Sequence, residues 1–92
     1  MKAWELLSDK AKHTTGTFAR DKDGKDVSPR SPEAVCWCAL GAIYYCDSTD
    51  SEEARRKLRQ APQVKVFHGD IPDWNDHVPF EEVVAVLKEL DL

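Results

Sequence analysis

Ninety-two residues, 41% hydrophobic and 33% charged, suffice for one small, marginally stable globular domain spanning 1–92. The net charge of −4 is uneven, with seven Lys/Arg against five Asp/Glu over 1–30 but two against seven over 61–92. An acidic end argues against direct nucleic-acid binding through that face, and without a signal-peptide or membrane-length apolar run the expectation is a cytoplasmic protein away from membranes.

Residues 2–15 read as a first helix, with Ala3, Trp4, Leu7 and Ala11 at helical spacing. Trp4 is its core anchor, and Gly16 is placed to stop it. Thr17–Arg20 reads as a strand, Asp21–Lys25 as a turn with Gly24 at positive φ, and Asp26–Val27 as the returning strand of a hairpin over about 17–28. The Asp-Lys-Asp-Gly turn has a partial calcium-loop look. Aligned on Gly24, however, the loop has Ala19 at its first ligand position and Arg30 where a bidentate Glu is required.

The one long apolar run, Val35 to Cys46, carries all three cysteines and both tyrosines. Ser31 suits an N-cap and Pro32 the first helical position, so the reading is a central helix over about 32–46, buried on nearly every side. Trp37, Cys38, Gly41 and Ala42 are structural residues there. Gly41 costs about 1 kcal/mol of helix propensity relative to Ala, which implies that a neighbouring element comes close, with a large aromatic laid across Gly41 and Ala42 as the expected neighbour. Three cysteines, two of them two residues apart, do not form a disulfide framework and read as reduced, buried hydrophobes.

Thr49 and Glu52 have capping-box spacing ahead of a polar helix over about 50–60. Its Arg55-Arg56-Lys57-x-Arg59 cluster lacks interleaved aromatics and is read as complementing the helix dipole. Gln63–Phe67 alternates weakly. It is the basis of an alternative α+β reading with a short strand near 63–67. His68 to Asp73 reads as loop, Trp74 to Pro79 as the approach to a last helix over about 79–90, and Phe80, Val83, Val84, Leu87 and Leu90 as its apolar face.

Three constellations carry chemical potential. Cys36 and Cys38 on a helix would point about 200° apart, and His13, His68 and His77 lack metal-ligand spacing, so no metal or cofactor is expected. Cys36 near a helix start, with His77 or His68 as base and Asp76 or Asp73 as orienter, is the pattern of a cysteine nucleophile. Its apolar neighbours favour an inert thiol, and no catalytic residue is assigned. Trp74-Asn75-Asp76 serves either as a structural turn or, with His77, as the polar rim of a binding site. Arg20 shares the pleat parity of Phe18 and needs a partner. Asp76 is the expected one, giving a binding group of Arg20, Trp74, Asn75, Asp76 and His77.

Ala19-Arg20-Asp21, the hairpin glycine, Trp37-Cys38-x-x-Gly41-Ala42 and Trp74-Asn75-Asp76 before a helix with Glu82-Val83 occur in an order that resembles a family of small domains of unknown function from bacteria, notably actinobacteria, and their phages. The resemblance covers about residues 3–90 and brings no established activity. Val78-Pro79 departs from the Thr-type cap it leads one to expect.

The expected fold is mainly α, with four helices around the central one and a small hairpin. The expected function is a non-enzymatic interaction module, an accessory protein of a phage or mobile element that binds a host protein. Two alternatives stand beside it: a small cysteine-dependent hydrolase or transferase, and an acidic decoy for a nucleic-acid-binding surface.

Overall fold

The computed structural model describes residues 1–47 and 51–92. It is mainly α with a small antiparallel β pair, as the sequence predicts, but several elements lie elsewhere. In order they are α1 (Ala3–Leu6), a 3-10 turn (Lys10–Lys12), β1 (Ala19–Arg20), β2 (Cys36–Trp37), α2 (Ala39–Cys46), α3 (Ser51–Gln60), α4 (Pro62–Lys65), α5 (Ile71–His77) and α6 (Phe80–Glu89). Among the described residues no helix is long and apolar enough to cross a membrane.

The first helix is much shorter than 2–15. Ser8 Oγ donates to the Glu5 carbonyl and Asp9 Oδ1 accepts from Ala11 N, so short polar side chains take up backbone groups that a continuing helix would use. His13 is extended, bridges Trp37 in parallel, and is followed by Gly16 at φ +79. Leu6 and Leu7 are buried. Trp4 is only partly buried, with Lys88 Nζ 5.2 Å from its ring centre.

The central helix begins at Ala39, not near residue 32. Ser31 does cap locally, its Oγ accepting from Glu33 N, but the turn does not propagate. Instead Val35 N donates to Arg20 O and Cys38 N to Phe18 O, and Arg20 and Ala19 pair with Cys36 and Trp37. The branched and aromatic residues at 35–37 suit a pleated surface, and the otherwise open edge of β1 captures them. The anticipated hairpin survives as its tip. Asp21 Oδ1 accepts from Asp23 N and Lys25 N, Gly24 sits at φ +81, and Arg20 bridges Asp26. The Asp21 carboxylate thus holds its own turn.

The strand considered near 63–67 is replaced by α4 and the turn after it: Ala61 is the N-cap residue, Pro62 occupies the first turn, and Val64 is buried while Val66, past the helix, is exposed. The stretch read as loop before the last helix contains α5. Asp70 Oδ1 accepts from Asp73 N, Pro72 lies in the first turn, and Ile71, Trp74 and Asn75 face inward. The described part of the basic helix is Ser51–Gln60, with Leu58 buried; Thr49 of the expected capping box lies outside the described residues. In α6 the buried face is Val83, Val86 and Leu87, with Phe80, Val84 and Leu90 partly covered. The core centres on Ala39, Ala42 and Ile43 of α2, closed by Leu7, Leu58, Val64, Trp74, Val83 and Leu87. Trp37 is buried too, its Nε1 donating to Pro29 O at 2.9 Å.

The close approach inferred at Gly41 is present, and it is made by backbone. A Cβ at position 41 would lie 2.0 Å from the Phe18 carbonyl oxygen. That same carbonyl accepts from Cys38 N at 3.1 Å. In an ordinary helix Gly→Ala gains about 1 kcal/mol. Here the sign should reverse: Gly41→Ala should destabilise by roughly 1–3 kcal/mol through overpacking, and a larger side chain by more. Urea denaturation measures this, and a midpoint equal to or above wild type would contradict the crossing.

Candidate functional site

Trp74-Asn75-Asp76 and Trp37-Cys38-x-x-Gly41-Ala42 are far apart in sequence but meet where α5 packs on the start of α2. Asn75 is the joint. It is fully buried, and all four of its hydrogen-bonding positions are filled. Its Oδ1 accepts from Ala39 N at 3.0 Å and pairs with His13 Nε2 at 2.8 Å; its Nδ2 donates to Thr14 O and to Asp76 Oδ1, both at 3.1 Å. Since Oδ1 can only accept, His13 is assigned its proton on Nε2.

Asp76 projects from the next position to the surface. Its Oδ1 also accepts from Gly16 N at 3.0 Å, so two neutral donors hold one oxygen. Between the 16–18 segment and α5 lies a cleft of about 280 Å³ lined by Gly16, Thr17, Phe18, Cys38, Pro72 and Asp76. Cys38 is nearly fully buried, and as the N-cap of α2 its Sγ accepts from Gly41 N at 3.2 Å. Burial pushes its thiol pKa up, with the nearby Asp76 charge acting the same way against backbone donors that lower it. A second cavity of about 360 Å³ lies by the chain termini, with Ile43, Cys46, Ala54 and Leu92 in its wall; none of the sequence motifs reaches it.

The predicted Arg20–Asp76 pair does not form. Arg20 donates to Thr14 Oγ1, Thr15 O, Gly24 O and Asp26 Oδ1, with Asp26 Oδ1 3.0 Å from Nη1. The hairpin tip satisfies the guanidinium locally before α5 can. Arg20 and Asp76 are still coupled, since both bind the Thr14–Gly16 segment. Trp74 is a core residue, fully buried, and leaves the binding group. His77 sits at the surface end of α5, 3.0 Å from Asp73 Oδ1 and stacked on Phe67. Cys36 lies in β2, not in a helical first turn, and its Sγ points to Arg20 O at 4.0 Å. The helical geometry that separated Cys36 from Cys38 therefore does not apply, but the two sulfurs are engaged with different backbone groups. Among the described residues no group of three or more His, Cys, Asp or Glu is arranged around a metal position.

Sequence reasoning missed Gly16, Thr17, Phe18 and Pro72 as parts of the site. Only Asp70-x-Pro72-Asp73 held a signal, a cap residue with a first-turn proline that marks a helix start.

An unpaired buried polar group costs about 1–3 kcal/mol. Asn75→Ala, which orphans Ala39 N–H and Thr14 C=O, should cost about 2–5 kcal/mol on that basis. Asn75→Asp should cost more, because it sets a charge beside Asp76. Denaturant titration showing a loss under about 1 kcal/mol would remove Asn75 as the joint. His77 gives a pH prediction. The backbone carbonyl of Asp73, then its carboxylate, raise the His77 pKa above the ordinary 6.5. A raised folded-state pKa contributes stability that is complete below the unfolded value and lost as pH rises through the folded one. The melting temperature of the wild type should therefore fall slightly above pH 6.5 relative to His77→Gln; parallel pH profiles would contradict this.

No curated protein and no solved structure matches the chain. The model of one family does match, over residues 1–90, nearly the whole chain and both motifs around Asn75: the protein belongs to the family of unknown function DUF6197.

Proposed function

We propose that this protein is a non-enzymatic protein-interaction module whose contact face is built on Phe18 and Tyr44. The supporting observation is the aromatic surface beside the cleft. Phe18 is 45% exposed and meets the Tyr44 ring edge-on at 6.0 Å, with the Arg55 guanidinium 5.5 Å from the Tyr44 ring centre. Val35 and Tyr45 are also exposed, and Tyr45 packs on Trp37. Aromatic and arginine side chains held half-open on a rigid base are the composition of interface hot spots. Phe18 also walls the cleft, so aromatic face and cleft form one continuous surface.

The cysteine-enzyme reading is weaker on chemical grounds. The thiolate is the nucleophile; Cys36 lies in β2 with no helix N-terminus to activate it, and Cys38 is buried, with its thiol pKa raised by that burial. The resemblance to bacterial and phage domains completes the proposal: a cytoplasmic accessory protein of a phage or mobile element that acts on a host protein.

The test is affinity capture from host extract, followed by binding of the purified captured protein. Phe18→Ser should weaken binding about tenfold or more, as loss of a hot-spot side chain does. Val66→Ser, at an exposed position on the turn after α4, should leave it unchanged. Equal affinities for wild type and Phe18→Ser would overturn the proposal, as would one native-state cysteine that reacts with iodoacetamide as fast as a free thiolate.

A further inference from the structure

The cleft beside Phe18 has a chemistry of its own. It carries one formal charge, the Asp76 carboxylate, and no Lys, Arg or His lines it. Asp76 Oδ1 is held by Gly16 N and Asn75 Nδ2, while Oδ2 has no partner among the described residues. The Thr17 hydroxyl, also in the wall, has none either. The remaining walls are the apolar Phe18 and Pro72 and the buried thiol of Cys38. Arg20 is committed by four hydrogen bonds to the hairpin tip and the Thr14–Thr15 segment, so it does not fill the cleft, and His77, which feels the Asp76 charge, is held by Asp73. About 280 Å³ falls below the roughly 300–1,000 Å³ of pockets for drug-sized ligands and suits a single side chain.

We propose that this cleft binds an alkylammonium group, supplied by a lysine side chain of the protein partner; the proposal rests on the interaction-module reading for its biological source. Three features select lysine. The free acceptor is negative and lies on a chain of net charge −4 with an acidic second half, which draws cations. The walls are apolar along the approach, matching the four-carbon stem that lysine lays against nonpolar surface. Arginine is disfavoured because its fork pairs with both oxygens of a carboxylate, and Asp76 Oδ1 already takes two donors. One open oxygen, with the Thr17 hydroxyl as a further acceptor, fits the compact ammonium.

Asp76→Asn is the discriminating variant. The amide oxygen can still accept from Gly16 N and Asn75 Nδ2, so the fold is retained while the charge is removed. The experiment is an amide-resolved NMR titration of the whole chain with Nα-acetyl-lysine N-methylamide, its norleucine counterpart and its arginine counterpart. The lysine derivative should produce saturable shifts at Gly16, Thr17 and Cys38. Asp76→Asn should weaken its binding about tenfold, the value of one charge-assisted hydrogen bond, with its own spectrum otherwise like wild type. Saturation by the norleucine derivative at the same concentration, tighter or equal binding of the arginine derivative, or equal affinity in Asp76→Asn would each overturn the assignment. If Asp76→Asn fails to fold, Phe18→Leu serves as a second variant: it shortens the wall and should weaken lysine-derivative binding, and no effect there would count against the proposal. The titration needs no partner, so its failure leaves the module reading to stand or fall on the capture experiment.

Discussion

The fold depends on a buried amide whose every hydrogen-bonding position is taken. Asn75 joins α5 to the first backbone N–H of α2, to His13 and Thr14 after the 3-10 turn, and to Asp76. A primary amide can be buried at little net cost only when all its partners are present. That requirement fixes several things together. The segment from His13 to Gly16 must pass alongside α5, α2 must begin at Ala39, and Asp76 must turn its carboxylate toward Gly16. Hydrophobic burial of Trp74 alone would press α5 on the core without setting its rotation, because apolar contact is non-directional. Asn75 supplies the direction.

A second constraint interlocks with the first. The Phe18 carbonyl accepts from Cys38 N and occupies the space a Cβ on Gly41 would need. Phe18, just before β1, thus crosses the first turn of α2 in backbone contact, and Cys38 stands at the crossing. Its N–H pairs with the Phe18 carbonyl, its Sγ caps Gly41 N, and it lines the cleft. The Trp-Cys-x-x-Gly-Ala spacing then has a physical meaning: tryptophan for the ribbon, a small capping side chain, and three residues later a position with no side chain at all. A thiol used in this way is desolvated, which accounts for its raised pKa.

Much of this is legible in the sequence. The helical class, the hairpin tip with Gly24, the polar helix ending at Gln60 and the last helix follow from local signals that the tertiary structure leaves alone. Gly41 announced a close approach, and backbone made it. The stretch 31–38 misled because its cap and apolar run are true local preferences, overridden when the open edge of β1 offered hydrogen bonds to Val35 and Cys38. That partner is distant in sequence, and no periodicity of the run encodes it. The start of α5 is legible locally: Asp70 and Pro72 mark a helix start, with Ile71, Trp74 and Asn75 at helical spacing. Alternation over Gln63–Phe67 is too short to separate a strand from the single turn of α4 and the turn after it, from which Val64 and Phe67 pack on the core.

The ion pair that the sequence suggested, and the structure does not contain, is what gives the cleft its character. Had Arg20 reached Asp76, the carboxylate would be neutralised and a guanidinium would line the cleft. Instead Gly24, Asp26 and the Thr14–Thr15 segment satisfy Arg20 on one side, and Gly16 N and Asn75 Nδ2 hold Asp76 on the other. Neutral donors orient a carboxylate without cancelling its charge, so the field of Asp76 extends into the cleft. The exposed Arg20–Asp26 bridge contributes under about 1 kcal/mol to stability. Its larger consequence is positional, since it keeps the Arg20 guanidinium away from Asp76. The same turn that ends β1 therefore leaves an anionic, apolar-walled cleft beside the exposed ring of Phe18.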